Sequence, residues 1–217
     1  MGSEMCIRDR DEVLSYPCVG EDHPGLRYFR SVRTTGLNDS TVVALFSARL
    51  LNTGTSYMKM WMPASSDVSY FTALAPDAKT ASFPYQSKPS LVVTMRKEKP
   101  AVEEPFVAVY EPISDKLSAG LIESVDRIKL DPRGKEGCAI KVKTKGGDTF
   151  TLVNILKDGP VILNNQKCCA DFAIFAKRKG KNSVYVGNGS FVENKEFKVE
   201  SENRGSFYME YDQTSPV

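Results

Sequence analysis

The stretch Ser56-Tyr-Met-Lys-Met-Trp-Met-Pro63 alternates Met58, Met60 and Met62 with Tyr57, Lys59 and Trp61, and it holds the single tryptophan of the chain. In an extended strand residues two apart share a face, so the methionines line one side and the aromatic and basic residues the other; a helix would scatter both sets. A second run, Phe106-Val-Ala-Val-Tyr-Glu-Pro112, reads as its partner strand, apolar enough to be covered on both faces. Both runs end at proline, which lacks the amide donor that a central ladder needs.

The rest of the chain has the same texture. Leu26 to Thr35, Thr41 to Leu51 and Ser90 to Arg96 read as strands, and Thr41 to Leu51 forms a hairpin with the tryptophan strand through Asn52-Thr-Gly-Thr55. Residues 64 to 89 carry Pro76, Pro84 and Pro89 and leave room for one short strand around Val68 to Thr72. Beyond Leu121 short strands recur: Leu121 to Leu130, Cys138 to Thr144, Thr149 to Leu156, Phe172 to Lys177, Val184 to Val186, Phe197 to Val199 and Phe207 to Tyr211. Turn signals separate them, among them Gly146-Gly-Asp148, Lys179-Gly-Lys181, Gly187-Asn-Gly189 and Asn203-Arg-Gly205. Cys138, Ile140 and Val142 alternate with Lys141, Lys143 and Lys145, the pattern of a half-buried strand. The expectation is an all-β fold, an antiparallel two-sheet β-sandwich with little helix, in which Met58, Phe106, Ile140, Val142 and Phe172 point inward.

With 29 basic against 27 acidic side chains there is no global field to draw in a polyanion, and no nucleic-acid partner is expected. No apolar run is long enough to span a membrane. Five cysteines without CxxC spacing, beside a single histidine, argue against a zinc site, and no cofactor is expected. The vicinal pair Cys168 and Cys169 reads as one buried and one half-exposed thiol. Nucleophile elbows, P-loops and dinucleotide fingerprints are absent. Lys141, Lys143 and Lys145 read as a solvated strand face, and His23, in a Pro/Gly-rich segment, as a solvated side chain.

Residues 1–10 show neither strand alternation nor a helical stripe and resemble translated adaptor sequence, so they are set aside as non-native; residues 11–25 read as irregular, and 26–217 as the β-sandwich. On this expectation the chain is a C-terminal fragment whose first residues pack poorly.

The ordered series SYMKMWMP, Leu74-Ala-Pro76, PSLVVTMRK, PFVAVYEPI and LIESVDRIKL resembles the C-terminal region of heparinase II/III-like polysaccharide lyases over roughly residues 40 to 211. The resemblance implies a helical toroid followed by an antiparallel β-sandwich, cleavage of uronic-acid polysaccharides by β-elimination, and a secreted or periplasmic protein. It further implies an acidic polysaccharide as the partner of the full-length protein and an N-terminal helical domain against which this sandwich packs. Its motifs are packing motifs, so no catalytic residue carries over. His23, Arg27, Tyr28 and Arg30 are candidates for an edge of the cleft, and Tyr57 and Trp61 for stacking on sugar rings. A non-catalytic carbohydrate-binding or adhesion module is the alternative, which requires Tyr57 and Trp61 to be exposed side by side; a purely structural sandwich is the second.

Overall fold

The computed structural model describes residues 5–7, 30–38, 40–50, 54–74, 91–97, 100–101, 104–131, 136–156, 159–163 and 166–212. Among these there is no helix; the chain is all-β, and every strand pairing is antiparallel. It divides into two compact units, Met1–Glu98 with Ala108–Gly120, and Lys99–Val107 with Leu121–Val217.

Among the described residues the first unit contains seven strands: β1 (Met5–Ile7), β2 (Arg30–Asn38), β3 (Val42–Leu50), β4 (Gly54–Met62), β5 (Ser65–Leu74), β6 (Leu91–Lys97) and β7 (Val109–Ile113). They form a four-stranded sheet in the order β1-β3-β4-β7 and a three-stranded sheet in the order β2-β5-β6. Val42, Ala44, Met60 and Met62 from the first sheet share a buried core with Val68 and Tyr70 from the second, and Phe46, Val93 and Met95 pack around it. Two sheets with one apolar core between their facing sides make a sandwich. The alternation of β4 sets this up, since Met60 and Met62 are buried while Tyr57, Lys59 and Trp61 on the opposite face are only half-buried. Removing Met62 or Tyr70 fully from water stabilises the fold by about 1.5–3 kcal/mol each.

The second unit is built on one seven-stranded sheet of β8 (Ile122–Ile128), β9 (Gly137–Thr144), β10 (Thr149–Ile155), β11 (Val161–Leu163), β12 (Gln166–Arg178), β13 (Lys181–Glu193) and β14 (Lys198–Tyr211). Its order is β14-β13-β12-β10-β9-β8, with β11 alongside the start of β12. One face carries the core of Val153, Ala173, Phe175, Val184, Val186 and their neighbours, with Phe207 and Met209 packed on it.

Several expectations hold and several need correction. The β3–β4 hairpin forms, and β7 does pair with β4, Trp61 lying opposite Val109. Yet Phe106 is 49% exposed and sits ahead of β7 rather than in it, so the run is not covered on both faces. Ile140 and Val142 are buried as expected, whereas Met58 and Phe172 are only half-buried. Pro112 lies within β7, opposite Met58; among the described residues β7 is an edge strand, the kind of strand in which proline is tolerated. The short strand around Val68 is the middle of the ten-residue β5, which buries Val68, Tyr70, Phe71 and Ala73. β11 carries no sequence signal of its own, and Phe197–Val199 and Phe207–Tyr211 flank or fall within one long strand, β14.

Gly187-Asn-Gly189 is not a turn. It lies inside β13, where the register with β12 and β14 shifts and Asn188 takes φ 49°. Only Asn188 takes the positive φ, and it does so in a bulge rather than a reversal. Asn203-Arg-Gly205 likewise lies within β14. Met5–Ile7, inside the segment set aside as non-native, pair with Ala44, Leu45 and Phe46 of β3 and so do form a sheet strand, contrary to the expectation for the front of the chain.

Candidate functional site

The side of β4 that carries Tyr57, Lys59 and Trp61 is the first place to seek a site, because the sequence puts the only tryptophan there. The register sets Lys59 directly opposite Glu111 of β7 and Trp61 two residues further along. Trp61 donates its indole N–H to Oε2 of Glu111 at 3.0 Å, and Glu111 is buried. Lys59 sends its ammonium to the carbonyls of Ser118 at 3.0 Å and Ala119 at 2.9 Å, which ties the chain after β7 back onto β4. Gly120 then passes so close to the Glu111 carboxylate that a Cβ there would stand 2.4 Å from Oε1, at a backbone φ of +70° that favours glycine in any case.

Chemically this is a clamp. A buried carboxylate supplied with a donor and an ammonium bonded to two carbonyls hold a loop, whereas a proton-transfer site would keep a titrating group open to substrate. Trp61 and Tyr57 are both half-buried, and the polar edge of Trp61 is committed to Glu111, so they do not form the open pair of rings that a stacking site on this face requires. Glu111 escaped the sequence reading because an acid in an apolar run reads as an outward-facing residue. The one available hint was its place opposite the aromatic and basic face of β4.

A second buried polar contact lies between β5 and β6. Lys97 Nζ stands 2.9 Å from Oδ2 and 3.1 Å from Oδ1 of Asp67, and Ser65 donates to Oδ1 at 2.5 Å. Both side chains are almost fully buried. Burial is the largest influence on the Asp67 carboxyl and pushes it up, but the bonds from Ser65 and Lys97 together outweigh it and hold the group below the ordinary aspartate range.

Of the remaining sequence candidates, His23, Arg27 and Tyr28 lie outside the described residues, and Arg30 opens β2, paired with Leu74. No cluster of three or more His, Cys, Asp or Glu suited to a metal occurs among the described residues. Cys168 is buried and Cys169 half-exposed, both as free thiols, and the pair faces opposite sides of the strand. Burial pushes the Cys168 thiol up to about 12. No helix of the described residues is long and apolar enough to cross a membrane.

The chain is 28% identical over 191 residues to the endo-acting ulvan lyase of Formosa agariphila. It is related to a polysaccharide lyase. The similarity takes in 85% of this chain but 23% of that protein, so the chain spans about a quarter of the relative's length. No protein-family description matches the chain, and no solved structure does. An alignment covering that share of the chain runs through both β units, so the similarity belongs to the scaffold as a whole and not to one motif.

Proposed function

We propose that this chain is the β-sheet portion of a larger polysaccharide lyase of heparinase II/III-like organisation, which cleaves a uronic-acid polysaccharide by β-elimination and packs against a helical domain. The observation that carries the reading is the similarity to the ulvan lyase over 85% of this chain and only 23% of that enzyme. In the elimination a base takes the proton beside the uronate carboxylate, the bond to the glycosidic oxygen breaks, an acid protonates that oxygen, and a carbon–carbon double bond conjugated with the carboxylate forms. The base, the acid and the groups that neutralise the carboxylate must be held together, and each contributes ~10²–10⁴ in rate. Among the described residues there is no histidine, and the clamp at Trp61 and Glu111 is committed to structure. The role of the two β units is therefore to support the domain that does the chemistry and to wall the substrate cleft. A polysaccharide too large to enter a cell has to be cut outside the cytoplasm, which agrees with a secreted or periplasmic protein.

Two measurements test this, both following absorbance of the unsaturated uronate product on ulvan, heparan sulfate, hyaluronan, chondroitin and alginate. The 217-residue chain alone should give no turnover. The Formosa agariphila enzyme with its matching region replaced by this chain should retain cleavage of ulvan. Turnover by the isolated chain that disappears in His23→Ala would overturn the assignment of chemistry to another domain, and a folded but inactive chimera would overturn the kinship of role.

A further inference from the structure

The seven-stranded sheet of the second unit has a core face and an opposite face, and the opposite face changes character along the sheet. Over β8 and β9 it is closed: Val125, Ile140 and Val142 are buried, and Arg127 donates from Nη2 to the carbonyl of Pro105 at 2.7 Å. Over β12, β13 and β14 it is open. There Tyr185 of β13 lies directly opposite Tyr208 of β14, 39% and 60% exposed, and Phe172 of β12 meets the Tyr185 ring edge-on at 6.3 Å between centroids. Gly187, two residues along from Tyr185, puts no side chain between the Phe172 and Tyr185 rings.

Polar and charged groups surround this platform. At one end the register brings Arg178 and Lys181 opposite each other, with Glu210 3.4 Å from the Lys181 ammonium and accepting from the Tyr208 hydroxyl at 2.7 Å. At the other, Arg204 bonds to Asp171 and, at 2.7 Å, to the carbonyl of Asn188, whose side-chain amide donates to Asp171 at 2.5 Å. Three cations thus face two carboxylates, a small local excess of positive charge. Ile174 lies directly opposite Tyr185, and Leu152 opposite Ile174, both half-buried, so the rings that stand out from this face are the two tyrosines with their hydroxyl tips. Neighbouring strands lie about 4.8 Å apart, so the paired rings extend over close to the length of one pyranose residue. A pyranose has the matching chemistry, with an apolar C–H face for the rings and a rim of hydroxyls and anionic groups for the arginines, the lysine and the carboxylates.

We infer that Tyr185 and Tyr208 form a stacking platform for a sugar ring of an acidic polysaccharide, with Arg178 and Lys181 facing its anionic group. The site is a holding site away from the chemistry, and it rests on the lyase reading for the class of its ligand. By keeping the chain on the second unit it raises the local concentration of polymer for the domain that cuts it.

The test is binding of ulvan to the 217-residue chain, by retardation in ulvan-containing native gels and by calorimetry. Tyr185→Ala with Tyr208→Ala should weaken binding about tenfold, from the loss of two ring contacts. Tyr208→Phe, which keeps the ring, should bind nearly as the parent does. Lys181→Glu should weaken binding severalfold and flatten its salt dependence. Near-ultraviolet circular dichroism and urea midpoints check that each variant is folded. Failure of the parent chain to bind ulvan, unchanged binding in the folded double variant, or self-association that depends on the two tyrosines would each overturn the inference. An active chimera beside a parent chain that does not bind ulvan removes the platform and leaves the lyase reading intact; tyrosine-dependent binding beside an inactive chimera does the reverse.

Discussion

Trp61 and Glu111, fifty residues apart in sequence, are joined by a 3.0 Å bond from the indole N–H to a buried carboxylate oxygen on the neighbouring strand. The bond turns the tryptophan from a free aromatic surface into part of the clamp that also holds Lys59 to Ser118 and Ala119. Trp61→Phe should cost about 1–3 kcal/mol, because the ring volume is largely kept while a buried carboxylate loses a donor. Glu111→Gln, which keeps an acceptor oxygen, should cost less than Glu111→Ala. Urea unfolding followed by far-ultraviolet circular dichroism reads all three, and equal costs for Gln and Ala would show that the bond from Trp61 contributes nothing.

The Asp67–Lys97 pair should make stability depend on acid. The Asp67 carboxyl titrates below the ordinary aspartate range in the folded chain. Its contribution is therefore complete above the unfolded value near 3.9 and is lost as pH falls through the lower folded value. Unfolding free energies measured from about pH 5 down to about pH 2 should fall with a slope that Asp67→Asn reduces. Removing one partner, as in Lys97→Met, should cost about 3–5 kcal/mol, while replacing both with apolar residues of similar volume should restore most of that loss. A double variant no more stable than the single would show that the pair is not a self-contained unit.

Gly189 is fixed by space. A Cβ there would lie 2.5 Å from Cγ1 of Val186, 2.6 Å from Cβ of Ala170 and 2.8 Å from the carbonyl oxygen of Cys169. None of these is the far end of a flexible chain, so Gly189→Ala should destabilise the second unit by about 1–3 kcal/mol. The same change at Gly205, where a Cβ meets nothing within 4 Å, is the control and should be close to neutral. Thermal melts of the two variants give the comparison.

The two adjacent thiols should react differently. Cys168 is fully buried and its thiol is raised to about 12, so almost none is thiolate near neutral pH, whereas Cys169 is half-exposed. Alkylation of the native chain followed by peptide mass analysis should label Cys169 first and Cys168 only on unfolding. Equal labelling in the native state would mean that the start of β12 opens readily.

The β class, the β3–β4 hairpin, the pairing of the tryptophan strand with part of the Phe106–Pro112 run and the burial of Ile140 and Val142 were all legible in the sequence. Each rests on period-two alternation or on a turn residue a few positions away, and such signals are local. The candidate site was legible only in part. Trp61 was singled out, but its partner Glu111 was not, since nothing near Glu111 in the chain announces a donor fifty residues earlier.

Sequence alone determined that the chain is built of strands and how the two sides of β4 and of β9 differ, because strand geometry converts spacing directly into faces. Tertiary structure alone decided which of those faces is closed. Phe106 and Ile140 are equally apolar in the chain, yet one is 49% exposed and the other 7%. It also decided that Gly187-Asn-Gly189 is a bulge, since a positive φ serves a turn or a bulge equally and only the pairing with β12 and β14 distinguishes them. Tyr185 and Tyr208 likewise become a pair only through the register of two strands, a property of long-range hydrogen bonding that no local pattern carries.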